Sequence, residues 1–471
     1  MQPSVKSDKN IILLITSISA FLTPMIISSI NVALPVIGKE FNIDAILMNW
    51  IVTVYLLSSS VLLLPVGRLG DIYGRKKVFG IGVAAYTVFS FLCGIANSIY
   101  PLIVFRLFQG IGAAMMFGTM SAILISSFPA GERGKAIGIN VGVVYFGLSL
   151  GPFIGGLLTE HLGWRSIFLI NAGFSFFLLI LCFFKFKNDD IEINSEKFDV
   201  KGFVFYTSGL SMLLFGFSKL TEVKGCVIVF IGIVFLTVFV WWEKKTEHPI
   251  FDFRLFMNNK VFIFSNLTAF INYSATYAVS LLVSLYLQYA KDYSPKSAGI
   301  ILICMPAMQF IISPFAGRLS DRIEPRILAS LGMFLTFTGL FLFSFITGAT
   351  GVYIVSFYLA VVGMGIGFFS SPNTNAVMSS VDSKYYGIAS GTVSAARVTG
   401  QMFSMGIVIL VFTILIGEVK ITWNNLNLFI ASVRIVFGIF AFLSFAGVFA
   451  SLIRGNLRSN NLRSNNLRTG Q

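Results

Sequence analysis

Gly67-Arg68-Leu69-Gly70-Asp71-Ile72-Tyr73-Gly74-Arg75-Lys76-Lys77 sets one acid, four cations and three glycines between two long apolar runs. The flanking runs, 47–66 and 78–97, are each about 20 residues, the length that crosses a hydrocarbon core of roughly 30 Å. A charged segment this short between two such runs reads as a tight cytoplasmic hairpin between membrane spans. Lys and Arg collect in cytoplasmic loops, which sets the side.

The rest of the chain agrees with a bilayer solvent. It is 56% hydrophobic and 11% charged, against roughly 25% charged in an average soluble domain. A net charge of +14 would suit nucleic acid, but the basic residues sit in short loops between apolar runs, where a topology signal accounts for them. The partners expected are therefore the lipid bilayer and a small molecule, with no nucleic acid. Lys6 and Lys9 precede an apolar run from Ile11 to Ile37, too long for a signal-peptide core and read as the first span. Cys93, Cys182, Cys226 and Cys304 are scattered singly, and His161 and His248 are the two histidines. That spacing offers no metal or redox site, and no cofactor is expected.

Fourteen spans are predicted, at 11–37, 47–66, 78–97, 101–126, 136–159, 164–186, 202–218, 225–242, 261–288, 297–316, 327–347, 350–377, 386–416 and 429–453. An even number puts both ends on one side. With the ends inside, inner segments carry 24 of the 34 Lys and Arg and outer segments eight. Both termini are thus placed in the cytoplasm. Arg106 and Arg397 fall within spans.

The chain also repeats itself. Gly67-Arg68-Leu69-Gly70-Asp71 recurs as Gly317-Arg318-Leu319-Ser320-Asp321, Gly110-x-Gly112 as Gly363-x-Gly365, and Gly134-x-Ala136-x-Gly138 as Gly387-x-Ala389-x-Gly391. Each offset exceeds what six spans occupy, and the runs at 202–218 and 225–242 supply the excess. The predicted fold is all-α and polytopic, arranged six, two, six. It divides into an N-terminal bundle at 1–187, a linker with two extra spans at 188–260, a C-terminal bundle at 261–455 and a disordered tail at 456–471.

The opening stretch closely resembles the signature between the second and third helices of the major facilitator superfamily. The span count narrows the resemblance to its fourteen-helix drug:proton antiporter group, the EmrB/QacA-type multidrug exporters. The resemblance implies two halves that rock about a midplane cavity. It implies that Gly67, Arg68, Asp71, Gly74 and Arg75, with Arg318 and Asp321 in the second copy, form a lock between the halves. A carboxylate at the membrane edge can cap a helix N-terminus opposite, here near Tyr386 and Gly387, for about 1–2 kcal/mol; a solvated turn is the competing reading. Arg106-Leu107-Phe108-Gln109-Gly110 resembles the fourth-helix motif, which makes Arg106 and Gln109 coupling candidates. Arg106 is about 8 Å deep, where an Arg normally faces a cavity or a partner. Gly147-Leu148-Ser149-Leu150-Gly151-Pro152-Phe153-Ile154-Gly155-Gly156 resembles the antiporter motif, with Gly147, Gly151, Pro152, Gly155 and Gly156 allowing close helix approach.

One departure matters. Relatives in this group commonly carry an Asp in the first span, and Met25-Ile26-Ile27-Ser28-Ser29-Ile30 has none. All Asp and Glu residues fall in loops, tails or span ends. Such a cavity favours neutral, zwitterionic or anionic amphiphiles over dications. Its polar candidates are Asn31, Trp50, Tyr55, Tyr145, Asn272, Tyr277, Gln309, Asn373 and Arg397. The expected function is proton-coupled export of small amphiphiles from the plasma membrane by a monomer. No ATP motif is present and no enzyme is expected. The alternatives are transport of one metabolite with other coupling, and a non-transporting sensor.

Overall fold

Gly74, at φ 103°, separates two helices with a single residue. The signature stretch is accordingly helical on both sides of it, where the sequence suggested a loop. In the computed structural model, α1 (Ser4–Phe41), α2 (Ala45–Tyr73), α3 (Arg75–Gly94), α4 (Ile99–Ser127), α5 (Arg133–Leu162) and α6 (Arg165–Lys185) form the first half. Then come α7 (Val200–Phe217) and α8 (Val223–Glu243). The second half comprises α9 (Lys260–Thr276), α10 (Val279–Leu285), a π-turn (Tyr286–Ala290), α11 (Pro295–Leu302), α12 (Cys304–Ser320), α13 (Pro325–Phe343), α14 (Val352–Ser379), α15 (Tyr386–Leu415) and α16 (Leu426–Ile453). The structure describes residues 4–129, 132–186, 198–217, 219–220, 223–246, 259–320, 322–381, 386–417 and 421–455. Asp321, most of the charged linker and the tail 456–471 lie outside these.

Among the described residues, fourteen apolar helical segments are long enough to cross a membrane. Two contain breaks that a hydropathy reading passes over. The ninth splits at Tyr277 and Ala278, where the freed Ala278 N–H donates to Ser404 Oγ on α15 at 3.2 Å. The tenth splits at Ile303, three residues before Pro306, which has no N–H to give the preceding turn. Asp44, Asn259 and Ser294 accept from the backbone N–H three residues on and so start α2, α9 and α11.

The sequence repeat is a packing repeat. Gly110 faces the Tyr55 carbonyl of α2, and Gly363 faces the Met305 carbonyl of α12. Gly112 lies so close to α3 that a Cβ would fall 2.7 Å from Tyr86 N, and Gly365 so close to α13 that one would fall 2.5 Å from Thr336 N. In each half the fourth span uses one glycine against the second span and the next against the third, as close helix approach in a bilayer requires. α7 and α8 pair with each other, and α7 touches both halves. Its Phe215 lies 5.6 Å from Trp50 and its Phe217 4.4 Å from Phe403.

Candidate functional site

The halves meet around three adjoining cavities. The central one, with about 740 Å³ of empty space, is walled by α1, α2, α4, α5, α9 and α15. Tyr55, Tyr145, Tyr273, Tyr277, Thr23, Ser59, Ser394, Arg397 and Gln401 supply its polar groups among Ile27, Leu56, Phe117, Val144, Leu148 and Val398. A second cavity adjoins it through Tyr145, Tyr273 and Tyr277 and adds Asn31 and Gln309. A third shares Phe117, Val144, Ser394 and Arg397 and runs to Leu124, Ile137 and Met378, near the helix ends on the side of the chain termini. Gly138 and Gly142 on α5 and Gly391 on α15 have open space beside them.

The opposite ends are sealed. Gln288 Nε2 donates to the Val32 carbonyl at 2.9 Å, joining the second half to α1. Gly156 of α5 lies against α11, so that a Cβ would fall 2.5 Å from the Pro295 carbonyl oxygen. One turn further out, Glu160 Oε2 accepts from the Lys296 N–H at 3.1 Å, in the first turn of α11. An acid of one half thus caps a helix start of the other on the outer side, where the dipole favours negative charge. The cavity therefore opens toward the side of the chain termini. Glu160→Ala is expected to loosen this seal. A cysteine placed at Thr276, in the cavity wall, should then react faster with an impermeant thiol reagent added from outside; an unchanged rate would show that Glu160 does not hold the seal.

The fifth-span motif divides its work between two neighbours. Gly147, Gly151 and Gly155 form a ridge against Phe21, Met25, Ser28 and Ser29 of α1, and Ser29 Oγ donates to the Gly151 carbonyl at 2.8 Å. Gly156 faces α11, and the Pro152 carbonyl abuts Gly299.

Arg106 is completely buried. Its Nη1 donates to Gln109 Oε1 at 2.5 Å and its Nε to the Ile51 carbonyl at 3.1 Å. Gln109 Nε2 donates in turn to Ser90 Oγ at 2.6 Å. The guanidinium lies 4.3 Å from the ring centroid of Tyr55, which lines the central cavity where Arg106 does not. One chain of contacts thus ties α2, α3 and α4 behind the cavity wall.

At the inner edge, Asp71 accepts from Arg75 at 2.7 Å across the Gly74 turn. The pair is half exposed, worth at most about 1 kcal/mol. Gly67 and Gly70 pack on α4 near Gly118 and Thr119. Arg68 is half-buried and Arg318 is exposed in the last turn of α12. The opposing side chains at 386–388 lie outside the described residues, as does Asp321.

Of the cavity candidates, Asn31, Tyr55, Tyr145, Tyr277, Gln309 and Arg397 line the cavities. Three others sit elsewhere. Trp50 packs on Phe215 of α7. Asn272 is buried within the second half, its Nδ2 donating to Met333 Sδ at 3.1 Å. Asn373 binds inside that half too: its Nδ2 donates to the Ser265 carbonyl at 3.0 Å and its Oδ1 accepts from Arg454 Nη1 at 3.0 Å. A span that is apolar all round fixes a residue's depth but not its rotation. Sequence reading also passed over Tyr273 and Gln401. Each lies four residues from a named candidate, Tyr277 and Arg397, and so shares its helix face. Arg454, which directly follows α16, is buried.

Two pseudo-repeated six-span halves around a central cavity, with close glycine contacts at the seams, define a polytopic membrane transporter. The chain belongs to the Major Facilitator Superfamily, which it matches over residues 16–405. It is 32% identical to the riboflavin transporter RibZ of Clostridioides difficile (strain 630), over 83% of this chain and 85% of that protein. It is 30% identical to the multidrug resistance protein Stp of Mycobacterium tuberculosis (strain CDC 1551 / Oshkosh), over 88% of this chain and 76% of that one. The fold matches a bacterial homologue of the human lysosomal transporter Spinster, solved in an inward-facing and unoccupied conformation, with TM-score 0.67 at 14% identity, covering 96% and 99% of the two chains. These similarities agree with the reading of a transporter rather than an enzyme.

Proposed function

We propose that the chain is a secondary active exporter of the plasma membrane, carrying small amphiphilic molecules outward by alternating access as a monomer and drawing on the proton gradient. The observation that carries this reading is the cavity between the halves, reached from the inner side and sealed on the outer. A cavity in that state loads from the cytoplasm. Its aromatic and apolar walls, with a few polar groups, suit amphiphiles. Similarity to Stp, and to a tetracenomycin C resistance and export protein of Streptomyces glaucescens, supports efflux. None of the described residues lining these cavities is Asp or Glu. Proton handling then falls to edge carboxylates such as Asp71 and Glu160 or to the cargo itself.

The similarity to RibZ favours a second reading, transport of one metabolite such as riboflavin. Counterflow in proteoliposomes separates the two, using riboflavin beside acidic, neutral and cationic drugs, with and without an imposed pH gradient. Exchange of several unrelated amphiphiles, accelerated by the gradient, is expected. Exchange of riboflavin alone would replace the exporter with a dedicated metabolite transporter. Exchange of none by folded, reconstituted protein would overturn both.

A further inference from the structure

The cavity walls carry a charge with no acidic partner among the described lining residues. Arg397 of α15 lines both the central and the inner cavity. Its guanidinium carbon lies 5.4 Å from the Tyr273 ring centroid, and its buried Nε has no hydrogen-bond partner among the described residues. Among the described residues, none that lines these cavities is acidic. The second in-span cation adds to the same field. Arg106 stands one layer back, against the ring of Tyr55, whose own buried hydroxyl is also without a partner.

A guanidinium stays protonated in any physiological state, so it cannot relieve itself by losing a proton. In a low-dielectric site an uncompensated charge is costly, and the face of one tyrosine offsets only part of that cost. A cation entering the cavity would meet two like charges and no carboxylate. An inorganic anion would answer the guanidinium but leave the remaining wall, Ile27, Leu148, Tyr145, Tyr277 and Val398, against a hydrated ion. A molecule with one acidic group on an aromatic or aliphatic body satisfies both parts.

We propose that Arg397 is the docking residue for an anionic amphiphile, its carboxylate, sulfonate or phosphate paired with the guanidinium and its apolar body held among Tyr145, Tyr273 and Tyr277. The proposal rests on the transport reading above for the cavity being a cargo site, and it narrows the cargo by charge. Arg is suited to the task because its planar fork takes two oxygens at once, in charge-assisted hydrogen bonds. Gln401, one turn further along α15, also lines the central cavity and offers a neutral amide beside the same oxygens.

The test is equilibrium binding to the purified full chain in nanodiscs, with three matched pairs: 2-naphthoate, anthracene-9-carboxylate and nalidixate, each against its carboxamide. At least one acid is expected to bind about tenfold more tightly than its amide, the scale of one charge-assisted pair. Arg397→Gln should erase that preference, with an unchanged size-exclusion profile and thermal midpoint showing that the variant is folded. Arg397→Lys should keep part of it. The result that overturns the proposal is either no acid preference in any pair, or an acid preference that survives in both variants. Counterflow is read separately. Acid-selective binding without exchange would sink the transport reading and leave the anion site standing, whereas exchange without acid selectivity would do the reverse.

Discussion

Gly155→Ala is expected to lower the thermal midpoint of the detergent-solubilised protein by several degrees, and Gly155→Leu to leave no folded transporter, while Gly142→Ala on the same helix is neutral or slightly stabilising. Intrinsic propensity alone gives both alanine changes the same sign, since Gly to Ala inside a helix gains about 1 kcal/mol. Packing decides between them. A Cβ at Gly142 meets nothing within 4 Å, so the propensity gain is realised. A Cβ at Gly155 would sit 2.6 Å from both Cα and O of Ser29, where carbon atoms need about 3.5–4.0 Å. The obstacle is backbone, so no rotamer change relieves it. α1 and α5 must separate, which strains the bond from Ser29 Oγ to the Gly151 carbonyl and the contacts at Gly147 and Gly151. Overpacking of this kind costs typically about 1–3 kcal/mol for small additions and exceeds the propensity gain. Size-exclusion profiles after a heating series report the result. Equal midpoints for the two alanine variants would show that the glycine ridge is not what seats α1 on α5.

The same contrast shows what the sequence made legible. Fourteen spans and their six, two, six order were readable because hydrocarbon thickness sets the length of every apolar run, and because repeated glycines mark equivalent seams in the two halves. Gly110 and Gly363, found by spacing, indeed face equivalent carbonyls. Rotation was less readable. Around Asn373, α14 carries Ser370, Ser371, Thr374 and Asn375 on several faces, so the depth of Asn373 was plain but its turn toward Ser265 and Arg454 was not. The helix breaks at Tyr277 and Ile303 fall inside runs that hydropathy reads as continuous spans. The signature stretch misled for a related reason. Charge and glycine suggest a loop, yet a helix can run past the membrane edge into water, and one glycine at φ 103° suffices for the turn. The Glu160 cap on α11 was missed because it joins residues 136 positions apart, each ordinary for its own span end.

Arg106→Met is expected to cut transport by about thirtyfold while leaving the midpoint within a few degrees of wild type. The factor is what ~2 kcal/mol of a lost, desolvated cation–π contact corresponds to. Stability and function part company here because the terms differ. Arg106 is a buried cation with no carboxylate beside it among the described residues: it meets the Gln109 amide oxygen, the Ile51 carbonyl and the rings of Tyr55 and Phe168. Its Nη2 has no hydrogen-bond partner among the described residues. Replacing a buried ion with an apolar side chain of similar volume is often neutral or stabilising by about 1–4 kcal/mol. Against this, Gln109 Oε1 loses its donor, a cost of about 1–3 kcal/mol. The two nearly offset. Transport has no such offset. Tyr55 loses the cation packed against its ring, and the cavity loses one of the two in-span cations beside it. Arg106→Lys separates these effects, since it keeps the charge but not the fork that reaches Ile51 and Gln109 together. A lysine variant near wild-type rate would assign the role to charge, and one as slow as methionine to the positioning of α2 and Tyr55. Wild-type transport by Arg106→Met itself would remove Arg106 from the mechanism and leave it as a buried packing residue of the first half.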